Sequence, residues 1–398
     1  MTDLVKWCLK IAYGYGRLTG VINFEIDLKT GQTQFTRRAT LIAASTHVLI
    51  FGLLVYHTLR RNVVTVIWRY ANSLHDYVFL VIAAFRVVCV FLALVSRWSQ
   101  RRTFMRLFNS FWRLYQRNPA IIQYCRRSIV SKFFCATIAE TLQVIVFLAM
   151  MRNQLSITLA LRIWAVLSLT AILNVIITQY FVAAACVRGR YVLLNKDLQA
   201  IVSESQSLIP NAGGVYVTKC CCLADRLESL AKSQSDLQQL VENLSTAYQG
   251  EVVCLVITYY LNMLGTAYLV FSFSKYGSLG NNLPLFVPLC AIAHFIFYLF
   301  DCWLNAFNVF YLLDAHDKLL GLLGRRTLFQ PGLDHRLEVA FENFALNLAR
   351  NPLKLRIYGL FEYGRAASFA VGNSLLTHSL LLIQYDVQNF KTMDNINT

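Results

Sequence analysis

The sequence predicts an all-α polytopic membrane protein with seven transmembrane helices, a cytoplasmic N-terminus, an extracellular C-terminus, and helices extending into a cytoplasmic anchor layer. Three observations carry this. The 398 residues are 57% hydrophobic and only 15% charged, with mean hydropathy +0.48, whereas a soluble domain carries about 25% charged residues. Seven apolar runs approach the ~20 residues that a helix needs to cross about 30 Å of hydrocarbon. Lys and Arg alternate between rich and poor segments along the chain. The net charge of +16 lies between apolar runs, not on one face of a soluble domain, which removes nucleic acid as a partner. With 6 Pro and 18 Gly, and no long Ser, Gln or acidic tract, disorder and collagen-like repeats are excluded as well.

Residues 1–38 form a cytoplasmic N-terminal segment whose first 30 positions lack a continuous apolar core, so no cleaved signal peptide is expected. The spans follow at 39–59, 77–96, 133–151, 163–187, 252–274, 283–300 and 366–385, and their only formal charges are Arg86 and Glu140. Of the 37 Lys and Arg, 29 fall in segments on the N-terminal side of the membrane and 7 on the other, with Arg86 between. Basic loops stay in the cytoplasm, so the N-terminus is placed inside and residues 386–398 form an extracellular tail. All eleven cysteines fall in spans or cytoplasmic segments, where thiols stay reduced. Cys220, Cys221 and Cys222 are consecutive and lack the spacer that lets two thiolates share a zinc ion, so neither metal nor cofactor is expected. Plain thiols and palmitoylated ones both fit that run.

Two cytoplasmic segments, 188–251 within the membrane unit 39–300 and 301–365 after it, are long enough to build structure. In the first, Leu223, Leu230, Leu237 and Leu244 recur every seven residues with Leu227, Gln234 and Val241 between them. That is a coiled-coil type seam, and it should continue as helix into the fifth span. In the second, Asp334 is a plausible N-cap for a helix with Leu337, Phe341, Phe344 and Leu348 on one stripe, stopped by Pro352. The two stripes can pack locally within one subunit, or bundles from several subunits can pack into a common anchor.

Arg86 and Glu140 differ in depth by only ~5 Å at 1.5 Å per residue, so an ion pair across adjacent helices is expected, with a proton or ion relay as the functional alternative. In the last span Asn373, Thr377 and Gln384 fall within about 40° of one another on a helical wheel, flanked by Leu380 and Leu381. Polar groups in lipid need partners or water, so this stripe faces another helix or an aqueous path.

The run Thr377-His378-Ser379-Leu380-Leu381-Leu382-Ile383-Gln384-Tyr385 resembles the insect gustatory receptor signature: Thr-Tyr, five hydrophobic residues, Gln-Phe. Thr377 and Gln384 match at the required spacing; His378 stands for the Tyr, Tyr385 for the Phe, and Ser379 interrupts the hydrophobic five. The opening Tyr15-Gly16-Arg17-Leu18-Thr19-Gly20, followed by Asn23-Phe24, is similar to the start of many fly members, particularly those assigned to bitter taste. The resemblance implies a ligand-gated cation channel in the plasma membrane of gustatory neurons. It would be a homo- or hetero-tetramer with related receptors whose last helix lines the pore, opened by a small-molecule tastant and passing cations. It carries pore roles to Thr377 and Gln384, and by extension to Leu380, Leu381, His378 and Tyr385; Asn373 joins this pore set only as the third member of the polar stripe. Depth alone offers Trp164, Tyr268, Phe271, Phe286 and His294 as an aromatic set for an apolar ligand in the outer half of the bundle.

Other seven-span readings lack their marks. A metabotropic receptor would carry its Asp-Arg at the end of the third span, but Asp225-Arg226 lies in the heptad segment. A transporter would show paired half-repeats or broken helices, and an enzyme would show a metal, nucleophile or phosphate motif.

Overall fold

A computed structural model of the chain describes residues 3–27, 30–58, 73–150, 156–208, 214–276, 286–324, 334–359 and 361–389. Within them the fold is helical: α1 (Asp3–Leu18), α2 (Arg37–Thr58), α3 (Ser73–Ser99), α4 (Arg101–Arg117), α5 (Ile121–Met150), α6 (Ile157–Gln206), α7 (Gly214–Tyr276), α8 (Phe286–Gly324), α9 (His335–Arg350) and α10 (Arg365–Asn389). Seven of these, α2, α3, α5, α6, α7, α8 and α10, are long and apolar enough to cross a membrane, as the sequence predicts. Residues 59, 151, 283–285 and 390–398 of the expected spans and tail lie outside the described residues. Helix α10 runs on to Asn389, past the expected end of the last span at Tyr385. Two short hairpins were not foreseen: β1 (Glu25–Ile26) pairs antiparallel with β2 (Thr33–Gln34), and β3 (Arg356–Ile357) with β4 (Phe361–Glu362).

The helices outrun the bilayer. At 1.5 Å per residue, α6 with its 50 residues is ~75 Å long and α7 with its 63 residues is ~95 Å. The heptad segment does continue unbroken into the fifth span, and α6, α7 and α8 share a base beyond their apolar stretches, on the side where the Lys- and Arg-rich segments lie. Asp334 caps α9 by accepting from the Arg336 backbone N–H at 3.0 Å.

In that base the two apolar stripes meet. Leu223, Leu227, Leu230, Leu237 and Val241 are buried in one cluster with Leu337, Phe341, Phe344 and Leu348, and α6 and α8 supply Leu198 and Leu319. A fully buried Leu or Phe contributes about 1.5–3 kcal/mol, so the base is a core in its own right. The two stripes therefore pack locally within one chain, as the first of the two sequence readings has it.

Above the base α6 is the central helix. In its most apolar stretch 56% of residues are buried, against none in α10. The last helix packs on α7 and leaves most of its circumference open.

Candidate functional site

α10 is held on the bundle along a single arc. Arg365 at its start pairs with Asp314 at 2.6 Å. His378 shares a hydrogen bond with the Tyr260 hydroxyl at 2.7 Å, and that hydroxyl also meets Ser374 at 3.0 Å. Near the far end the fully buried Asp386 accepts from the Tyr268 hydroxyl at 2.9 Å and from Lys275 at 3.1 Å. Asn373, Thr377, Leu380, Leu381, Gln384 and Tyr385 are all exposed. At 100° per residue Asn373, Thr377 and Gln384 point almost directly away from the half-buried Leu375 and Leu382 and the fully buried Asp386. The Thr377 hydroxyl donates to the Asn373 carbonyl at 3.0 Å, while the Asn373 and Gln384 amides have no side-chain hydrogen bond among the described residues. Five of the seven pore candidates, Asn373, Thr377, Leu380, Leu381 and Gln384, thus lie on or beside one open face, while Tyr385 is exposed about a quarter-turn round the helix from it. His378 does not lie there: its imidazole is turned toward α7, because the Tyr260 hydroxyl and Ser374 give it partners there.

The second polar assembly lies inside the bundle. Arg86 donates to Thr170 Oγ1 at 3.2 Å and to the Asn262 side-chain oxygen, and Asn262 in turn donates to Tyr298 Oη at 3.0 Å. Glu140 accepts from Asn174 at 2.6 Å and from Tyr15 Oη at 3.1 Å. The expected Arg86–Glu140 ion pair is therefore not formed. Equal depth allows the pairing, but each ion is turned toward neutral amides and hydroxyls on other helices, and Tyr15 reaches Glu140 from α1. Burial first, and the Glu140 carboxylate second, push the Tyr15 phenol well above its ordinary pKa, so it stays a donor. Arg86, Thr170, Asn174, Asn262 and Tyr298 line a cavity of about 10 Å³, close to the room one water needs.

The aromatic set does not converge. Trp164 and Phe286 are 43% and 47% exposed on the outside of the bundle. Tyr268 is fully buried against Asp386 and stacks with Phe271 at 6.4 Å between centroids. His294 stands apart from both groups, bonded to the Ala139 carbonyl at 3.0 Å and tilted against Tyr298 at 5.9 Å. Depth fixes height in the bundle but not which way a ring turns, so His294 alone of the five borders the polar interior.

Besides Lys275–Asp386, sequence reading missed two ion pairs with both partners buried. Lys132 reaches both Asp301 oxygens at 2.6 and 2.7 Å, and Asp301 also accepts from Tyr259 Oη at 2.7 Å. Arg97 grips Glu251 through two bonds of 2.7 and 2.8 Å, with its guanidinium 3.9 Å from the Phe104 ring centroid. All four sit at the edge of an apolar run, where they read as loop charges. The signal was the opposite sign of edges that end on the same side of the membrane. Among the described residues no group of three or more His, Cys, Asp or Glu could hold a metal ion.

A seven-helix bundle with a shared helical base, polar groups sealed in its middle and a last helix that turns amides away from it is the architecture of a polytopic membrane receptor. The chain belongs to the insect gustatory receptor family: the 7tm chemosensory receptor family model matches residues 9–389, and curated relatives match along the whole chain. It is 80% identical to Drosophila melanogaster gustatory receptor 59d and 35% identical to gustatory receptor 36c of the same fly, each over 98% of this chain and 100% of the relative. Its fold is similar to that of the insect olfactory receptor OR5 from Machilis hrabei, solved in complex with eugenol. That likeness has TM-score 0.65 and 13% identity, and covers 96% of this chain and 98% of the olfactory receptor.

Proposed function

We propose that this receptor is a ligand-gated, non-selective cation channel of four subunits responding to bitter or aversive compounds, with one α10 per subunit lining a central pore. The N-terminus and helical base are cytoplasmic, the C-terminus is extracellular, and the channel works in the plasma membrane of gustatory neurons, alone or with related receptors. The open face of α10 carries this reading. On a single chain that face would set Asn373, Thr377 and Gln384 against lipid, where unpaired polar groups are costly. Copies of the face around an axis give the amides water and one another. Leu380 and Leu381 beside them narrow the same path, and a Gln carbonyl can turn to a passing cation while its NH₂ turns to a neighbour.

Ligand recognition belongs to the interior around Arg86, Asn262, Tyr298 and His294, where a few polar groups fix orientation within apolar walls. The cavity there holds about one water, so a tastant must displace packed side chains, and Tyr298, which bonds Asn262 and touches both Tyr259 and His294, is the side chain to move. This setting, without a formal acid among the described residues that line it, suits a mostly apolar molecule better than a sugar.

The test is reversal potential under bi-ionic conditions in cells expressing the receptor with and without related receptors. Gln384→Glu should alter cation selectivity or divalent block, and Gln384→Arg should abolish current at unchanged surface expression. Unaltered selectivity and conductance in both would return Gln384 to a helix contact and remove the pore reading.

A further inference from the structure

α4 carries five arginines and no acid in 17 residues. It begins two residues after α3 ends, so it leaves the membrane surface and runs out along the base. Arg101 is buried and is spent on Thr40 Oγ1 and the Asn23 carbonyl. Arg106 and Arg113 are exposed, and their hydrogen bonds are long ones to their own helix: 3.4 Å to the Arg102 and Asn109 carbonyls, 3.5 Å to Thr103 and 3.2 Å to Ser110. Neither meets a carboxylate among the described residues. They lie seven residues apart, on one face and ~10 Å along the axis.

Both line an open groove of about 680 Å³ between α4, α7 and residues 30–32, within the size range of small-molecule sites. Gln32, Asn109, Trp112 and Asn243 help to line it, and among the described residues none that lines it is acidic. Its wall is built in advance. Trp112 Nε1 donates to the Thr30 carbonyl at 3.2 Å, and Gly31, at φ +70°, sits so close to the indole that any Cβ would collide. Asn109 accepts from the Thr33 backbone N–H at 3.0 Å and its hydroxyl at 3.2 Å, which leaves the Asn109 NH₂ free to donate.

We infer that this groove binds a multiply phosphorylated ring, an inositol polyphosphate, presented as a lipid headgroup or free in solution. Two guanidiniums with open donor edges match phosphate geometry and form charge-assisted bonds. Their separation along one helix face lets extended side chains reach phosphates on opposite sides of a six-membered ring. A single phosphate would satisfy one arginine and leave the other idle. Gln32, Asn109 and Asn243 supply partners for ring hydroxyls, and the Trp112 face covers the ring. The site stands whether or not α10 lines a pore.

The test uses the full-length receptor purified into nanodiscs. Three probes are compared: phosphatidylinositol bisphosphate in a phosphatidylcholine disc, phosphatidylserine in the same disc at matched total charge, and soluble inositol trisphosphate added to plain phosphatidylcholine discs. The inositol phosphates should bind, and Arg106→Gln with Arg113→Gln should weaken them about tenfold or more. Arg117→Gln, on the same helix but outside the groove, should change affinity less than about twofold, and both side chains are exposed, so folding is spared. Binding of the lipid but not the soluble headgroup identifies a membrane source, and binding of both a shared headgroup site. Equal binding of phosphatidylserine, equal loss on Arg117→Gln, or no binding of either inositol phosphate would overturn the assignment.

Discussion

The Arg97–Glu251 pair couples α3 to α7 and can be taken apart one partner at a time. Its side chains are 6% and 0% exposed, so solvent screening offers little relief. Glu251→Leu leaves a guanidinium buried without its acid, and Arg97→Met leaves a carboxylate buried without its base; each should cost about 3–5 kcal/mol. The Phe104 and Tyr248 rings, 3.9 and 4.7 Å from the guanidinium, offset part of the first loss, since a desolvated cation–π contact is worth about 2 kcal/mol. Arg97→Met should therefore be the worse single change. The double variant removes both desolvation penalties, and exchanges of this kind are neutral or stabilising by about 1–4 kcal/mol. It loses the cation–π contacts too, so it should melt close to the parent. The assay is thermal unfolding of detergent-purified receptor followed by tryptophan fluorescence, comparing all four proteins under one scan rate. With about 2 °C per kcal/mol as the lower scale for large domains, the singles should fall by roughly 6–10 °C. Singles within about 2 °C of the parent, or a double as low as the worse single, would refute the claim that the pair locks these helices.

Epitope tags after Thr398 should label on intact cells and tags near Asn211 only after permeabilisation; reversed labelling would remove the channel reading. Leu230→Asp with Leu237→Asp sets two carboxylates in the filled seam and should abolish surface expression by unfolding the base, whereas normal folding would show a solvated helix. Gly31→Ala must push the β1–β2 turn off Trp112, and should raise iodide quenching of tryptophan fluorescence; unchanged quenching would mean that the turn is not seated on the indole. Lys354 first, and Arg356 after it, hold the Glu362 carboxyl below the ordinary range. Their contribution to the β3–β4 hairpin is complete above the ordinary carboxylate pKa and lost as pH falls through the lowered value. Exchange protection of the Tyr363 N–H, bonded to the Leu355 carbonyl at 2.8 Å, should fall with acid more steeply than in Glu362→Gln, and equal slopes would discount the ion pairs.

Several features were legible in one dimension. Hydropathy located all seven membrane helices, the seven-residue Leu repeat foretold that the heptad helix would run into the fifth span, and Asp334 announced the start of α9. Each signal is local: a window of residues sets its own solvent and its own period. The Arg86–Glu140 expectation failed because depth was the only coordinate available. Lys132 and Asp301, 169 residues apart, meet by the same kind of long-range packing that kept Arg86 and Glu140 from each other. The aromatic set dispersed for the same reason.

The sequence by itself determined that this chain dissolves in a bilayer, where its seven apolar helices lie along the chain, and that one stripe of the last helix is polar. Only the tertiary structure decided which way that stripe turns. Asp386, His378 and Ser374 bind α7 and so fix the rotation of α10, and Asn373, Thr377 and Gln384 are left facing away from the subunit. Rotation about a helix axis is set by the partners on its packed side, and those partners lie more than a hundred residues distant in the chain.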